Sequence, residues 1–279
     1  MTYSFPKDFT ALVLALTTLG ENDARVANWP NYKKFGLTPE HIPELIRVLE
    51  KVGEFWPDEP TKNEPEVYAP IHAWRALAQF KAEQAIPALF DVILWNEENG
   101  VDWIMEEVPD AIGMIGPACI PPLHNYLVSP EKTTWASVTM AHSLAEIGKQ
   151  HPQSRTDCAN ALLAGLEQYE TNDETINGFL ISYLTDLKAI ESVPLVERVY
   201  QAGMVDLSVL GDFEDFKEWM GLTKKRSALR QPFHVIRDLD DIFAAEQSEP
   251  SPQTIQGKKE QQKTKKEKKA RKRHKKKSF

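Results

Sequence analysis

An Ile-Pro phrase returns along this chain, and it constrains the fold more than any other feature. It reads His41-Ile42-Pro43-Glu44-Leu45, then Ala85-Ile86-Pro87-Ala88-Leu89, then Cys119-Ile120-Pro121-Pro122-Leu123, and more weakly Ser192-Val193-Pro194-Leu195. Successive phrases lie 44, 34 and 73 residues apart, so the last interval leaves room for one unit that lacks the proline. Recurrence at roughly 20 to 50 residues is the mark of a stacked repeat array. Proline is tolerated in the first turn of a helix, where its missing N–H would have no partner anyway. Each phrase therefore reads as the opening of the second helix of a pair.

Apolar stripes at helical spacing flank every phrase. Ile42, Leu45, Ile46 and Leu49 mark the first, with Thr38 before Pro39 as an N-cap. Ile71, Trp74, Leu77 and Ala78 precede the second phrase, and Ile104, Val108, Ile112 and Ile115 the third. Leu144 and Ile147, then Cys158, Ala161 and Leu162, form the fourth unit, and Ile176, Phe179, Leu180, Tyr183 and Leu184 open the fifth. Sustained period-2 alternation is scarce, so the chain reads as all-α. Gly116 and Gly148 are expected to end first helices by adopting positive φ, while Lys81 and Lys188 occupy the corresponding places in other units.

The segments Ala76-Leu77-Ala78 with Ala85-Ile86-Pro87-Ala88-Leu89, Ile112-Gly113-Met114-Ile115-Gly116 with Ile120-Pro121-Pro122-Leu123, and Leu144-Ala145-Glu146-Ile147-Gly148 resemble HEAT-like repeats of the short bacterial, phycobilisome-lyase type. That resemblance implies an α-solenoid of about five helix pairs, its second helices lining one curved face that serves protein–protein contacts. Its consensus residues are core residues, so it transfers a fold more safely than an activity. The expected organisation is an N-terminal cap helix and loop over 1–37, the solenoid over 38–202, cap helices over 203–245 and a disordered linker and tail over 246–279.

The net charge of −8 conceals two opposed parts. Residues 258–279 carry 13 Lys/Arg against Glu260 and Glu267, or +11, and the rest of the chain carries −19. Lys268, Lys269, Arg271, Lys272, Arg273, Lys275, Lys276 and Lys277 form nearly continuous positive charge without aromatics. Such a segment binds RNA, a ribosome or another polyanion without reading sequence. Nuclear import, anionic-lipid contact and plain solubility are the other roles such a tail serves.

No apolar run approaches the roughly 18 residues that span a bilayer. The N-terminus shows no secretory pattern and the two cysteines no CxxC spacing, which points to a cytoplasmic protein, or a nuclear one in a eukaryote. No phosphate loop, HExxH or GxSxG is present, so no catalytic residue, cofactor or metal is expected. His72 and His142 read as packing histidines on apolar helices. One stretch departs from this background: Trp95, Glu97, Glu98, Asp102, Trp103, Glu106, Glu107 and Asp110 gather acids and tryptophans without a basic residue. It reads either as a solvated loop and helix start, where acids favour the helix dipole, or as a patch for a basic partner. The spacing fits no calcium loop. The function expected is a non-enzymatic scaffold or adaptor, against the alternative of a phycobilin-lyase-like or DNA-glycosylase-like enzyme on the same fold. The acidic body opposes DNA.

Overall fold

The computed structural model describes residues 9–20, 25–56 and 65–223. Among them the chain is all-helical, without a strand. The part of the expected cap helices beyond residue 223 and the tail from 246 onward lie outside the described residues.

The helices run in the order α1 (Ala11–Leu16), α2 (Ile42–Glu50), α3 (Val52–Phe55), α4 (Ala69–Phe80), α5 (Ile86–Asn99), α6 (Asp102–Ile115), α7 (Ile120–Leu127), α8 (Thr134–Gln150), α9 (Arg155–Leu166), α10 (Glu174–Asp186), α11 (Val193–Gln201), α12 (Leu207–Leu210) and α13 (Phe213–Trp219). The Ile-Pro or Val-Pro dipeptide of each recurring phrase is the start of a helix, α2, α5, α7 and α11, whereas Val108-Pro109 lies inside α6. A 3-10 turn precedes each, at Pro39–His41, Glu83–Ala85, Pro117–Cys119 and Ile190–Ser192. Pro117 therefore opens this turn, and α7 itself starts at Ile120.

The unit without the proline is α9, which follows a similar turn at Pro152–Ser154. Arg155 stands where the others have Ile or Val. Its guanidinium donates to the carbonyls of Leu187 at 2.9 Å and Lys188 at 2.9 Å and pairs with Glu191 at 3.0 Å. Carbonyls at a helix end lack intrahelical donors, so Arg155 ties α9 to the end of α10.

First helices lie side by side, α4 on α6, α6 on α8 and α8 on α10, while α2 packs on α5 and α7 on α9. Glycines permit the close approaches. A Cβ on Gly113 would meet Gln150 at 2.6 Å, and one on Gly148 would meet Leu187 at 2.7 Å. Gly148 is thus a packing residue inside α8 and not the helix terminator expected of it. Gly116 does terminate α6, with φ of 103°. At the corresponding places in other units the positive-φ residue is a lysine, Lys81 at φ 53° and Lys188 at φ 51°. A side chain there costs about 1–2 kcal/mol. Replacing Lys81 by glycine should therefore raise stability by roughly 1 kcal/mol, once the extra freedom glycine gives the unfolded chain is offset. Urea denaturation checks this, and an unchanged midpoint refutes it.

One continuous core runs from Phe9 to Phe216 and takes in the expected stripes, including Leu45, Trp74, Leu77, Ile112, Leu144, Leu180 and Leu184. Burial pushes the thiols of Cys119 and Cys158 up to about 12. Within the cap region expected over 203–245, Gly211, with φ of 97°, separates α12 from α13. Asp212 and Asp215 then cap α13 reciprocally, each accepting the other's backbone N–H at 2.9 Å. These acids start a helix.

Candidate functional site: an acidic and aromatic edge

The acidic stretch from Trp95 to Asp110 spans the end of α5, the link through Gly100 and Val101, and most of α6. The structure does not present it as one surface. Glu107 turns inward, 1% exposed, and grips Arg75 of α4, which is fully buried. Arg75 Nε donates to Glu107 Oε2 at 2.7 Å, a second guanidinium nitrogen donates to Oε1 at 2.5 Å, and the Trp74 indole donates to Oε2 at 3.2 Å. The guanidinium also lies over the rings of Trp29 at 5.3 Å and Trp103 at 6.0 Å. Burial pushes the Glu107 carboxyl upward, against the pull of Arg75 and Trp74. A signal for this was present: Glu107 shares the helical face of Ile104, Val108 and Ala111, and Arg75 that of Ile71, Trp74 and Ala78.

Glu97 is also structural. Its Oε2 accepts the Thr133 hydroxyl at 2.9 Å and the Ala136 N–H at 2.8 Å. A carboxylate from one helix pair thereby caps α8 of the pair after next, where the dipole favours an anion. Trp95 stacks on Trp56 with centroids 6.0 Å apart, and Trp103 meets the edge of Tyr68. Asp110 is half-buried. Glu98, Asp102 and Glu106 keep the exposed positions. Partial burial and the neighbouring Asp102 push the Glu106 carboxyl upward.

Beside Glu97 stand two apolar residues that the sequence reading missed. Leu94, one turn earlier on α5, is 42% exposed, and Trp135, next to Ala136, is 45% exposed. Asp91 and Glu98 are exposed on α5, and Glu131 in the loop that leads into α8. The sequence signal for Trp135 was weak, because a tryptophan in a helix start usually reads as core. The tail residues Lys268 to Lys277 lie outside the described residues.

The two singled-out histidines do pack. His72 Nε2 donates to the Gly20 carbonyl at 2.9 Å, so Nδ1 accepts the Tyr32 hydroxyl at 2.6 Å. Burial first, then the nearby Arg75 charge, lower His72 to about 4 against the bond to Gly20. Gln79 continues the clamp, accepting from Tyr32 N–H and donating to Pro30 O. His142 lies flat on Tyr183 at 5.1 Å and meets Glu146, which also binds Lys149 at 2.7 Å.

Among the described residues, no group of three or more His, Cys, Asp or Glu could hold a metal ion. No described helix is long and apolar enough to cross a membrane. A family model described as Protein of unknown function (DUF1186) matches residues 37–240. No curated protein and no solved structure matches the chain.

Proposed function

Since the chain belongs to the DUF1186 family, whose description names no activity, we propose its function from its own residues: a non-enzymatic interaction scaffold that binds a basic protein segment. The side-by-side helix pairs are read as a HEAT-like α-solenoid, a form that offers extended binding surfaces. One observation carries the reading. Trp135 at 45% and Leu94 at 42% exposure stand among Asp91, Glu98 and Glu131. Exposed tryptophan is the residue type most enriched at interface hot spots, and an acidic surround selects a cationic partner. The basic segment 258–279 adds avidity on RNA or another polyanion.

The test is affinity capture by the full chain and by Trp135→Ala, with nuclease and high-salt arms. A partner retained through nuclease and salt should bind the variant about 30-fold more weakly, the equivalent of 2 kcal/mol. The substitution is on the surface, so the fold should keep its melting temperature. A partner set indifferent to Trp135 would remove the proposal.

A further inference from the structure

Asparagine followed by glycine readily loses its side-chain amide, because glycine leaves its own backbone nitrogen open to approach that amide. The sequence holds two such pairs, Asn99-Gly100 and Asn177-Gly178. The fold gives them opposite surroundings. Asn177 is fully buried inside α10, and its Nδ2 donates to Tyr169 O at 3.0 Å and Met204 O at 2.8 Å. Its Oδ1 accepts from Asn172 Nδ2 at 2.8 Å. A Cβ on Gly178 would meet Asp206 O and Val209 Cγ2, both at 3.1 Å, so the backbone there has no room to turn.

Asn99 and Gly100 are both exposed, at the end of α5. Gly100 has φ of 62°, and a Cβ added there would meet nothing within 4 Å. Two hydrogen bonds restrain the pair. Asn99 Nδ2 donates to Trp95 O at 2.6 Å, and Gly100 N–H donates to Asn96 O at 3.0 Å. Water can replace the first, which is exposed. The second closes the helix end, where local opening disturbs the fewest contacts. Beyond the pair, Val101 N–H donates to Asn96 Oδ1 at 2.6 Å, so rearrangement of the link falls on Asn99 and Gly100.

We propose that Asn99-Gly100 is a modification site, at which the chain converts its own asparagine to aspartyl and isoaspartyl residues. The Gly100 nitrogen gives up its proton to base and attacks Asn99 Cγ. The new N–C bond closes a cyclic imide as the Cγ–Nδ2 bond breaks, and Nδ2 leaves with a proton as ammonia. Water then opens the imide at either carbonyl, so one water enters for each ammonia lost. One opening restores the normal backbone beside a carboxylate. The other routes the backbone through the side-chain carbon and lengthens it by one atom. The imide has no N–H at Gly100, so the bond to Asn96 O that closes α5 is lost while it persists. Either product adds a negative charge in the sequence between the exposed Glu98 and Asp102, at a helix end whose dipole disfavours an anion. The reaction needs no partner and stands independent of the scaffold reading.

The test is incubation of the full chain in mildly alkaline, heavy-oxygen water, followed by peptide mapping with mass spectrometry. Heavy oxygen in a new carboxylate marks conversion during incubation rather than during digestion. Asn99 should convert at least about tenfold faster than Asn177, whose reaction waits on opening of the core. In urea that unfolds the chain, the two pairs should convert at similar rates, because the fold alone separates them. Enzymatic methylation of isoaspartyl carboxylates should mark the peptide that contains Asn99. Asn99→Gln should remove that mark, since glutamine closes a larger ring far more slowly. The substitution lies at an exposed helix end and should leave the melting temperature unchanged. Equal rates at Asn99 and Asn177 in the folded chain would overturn the proposal. So would an intact Asn99 over a period in which the urea-unfolded chain converts, or a methylation signal undiminished in Asn99→Gln.

Discussion

Glu107→Leu should destabilise the fold by about 3–5 kcal/mol, and by more than Arg75→Met does. The asymmetry follows from which charge is stranded. Without Glu107, Arg75 remains fully buried with its guanidinium still positive, because arginine does not deprotonate in proteins. Without Arg75, the Glu107 carboxyl, already pushed upward by burial, takes a proton and becomes a neutral acid. The double variant Arg75→Met/Glu107→Leu removes both charges and should recover most of the loss, since well-packed apolar residues often match a buried ion pair. Urea denaturation of the three variants at constant slope measures this. A double variant as unstable as Glu107→Leu alone would show that packing against Trp29 and Trp103, rather than charge, holds the site together.

Acidification gives the second large effect. His72 titrates near 4 in the fold and near 6.5 when free. Between those values the unfolded chain binds the proton that the folded chain refuses, so stability falls as pH drops through this window. At 1.36 kcal/mol per pH unit, the gap amounts to roughly 3 kcal/mol. Its loss should begin below pH 6.5 and be complete below 4. The physical event is the breaking of the Tyr32–His72–Gly20 chain, since a protonated Nδ1 can no longer accept from the Tyr32 hydroxyl. Folding free energies measured from pH 7 to 5 should slope towards that value, and His72→Gln should flatten the slope. A slope unchanged in His72→Gln would assign the acid sensitivity to carboxylates instead.

These two networks also show where sequence reading stopped. The stripes through Leu45, Trp74, Ile112 and Leu180 announced buried faces, and they are buried. The acids between Trp95 and Asp110 could be grouped by composition, but composition does not say which way each one points. Glu107 goes into the core and Glu97 onto the start of α8, because a helix turns each successive residue by about 100°. Glu98, Asp102 and Glu106 remain exposed, and so do Leu94 and Trp135, two residues with no charge to flag them. The two Asn-Gly pairs were illegible for another reason. As dipeptides they are identical, and only the fold leaves Asn99 at an exposed helix end and buries Asn177 inside α10.

The sequence by itself determined the helical units and the places where second helices begin. Both depend on local physics: a proline best accommodated in the first turn and apolar residues recurring with the helical period. The tertiary structure decided which charges are buried, which glycines serve close packing rather than termination, and which tryptophans meet solvent. Those outcomes depend on what the neighbouring helix pair places opposite each residue. Gly148 against Leu187 and Glu107 against Arg75 are contacts between units 39 and 32 residues apart, beyond the reach of any local pattern.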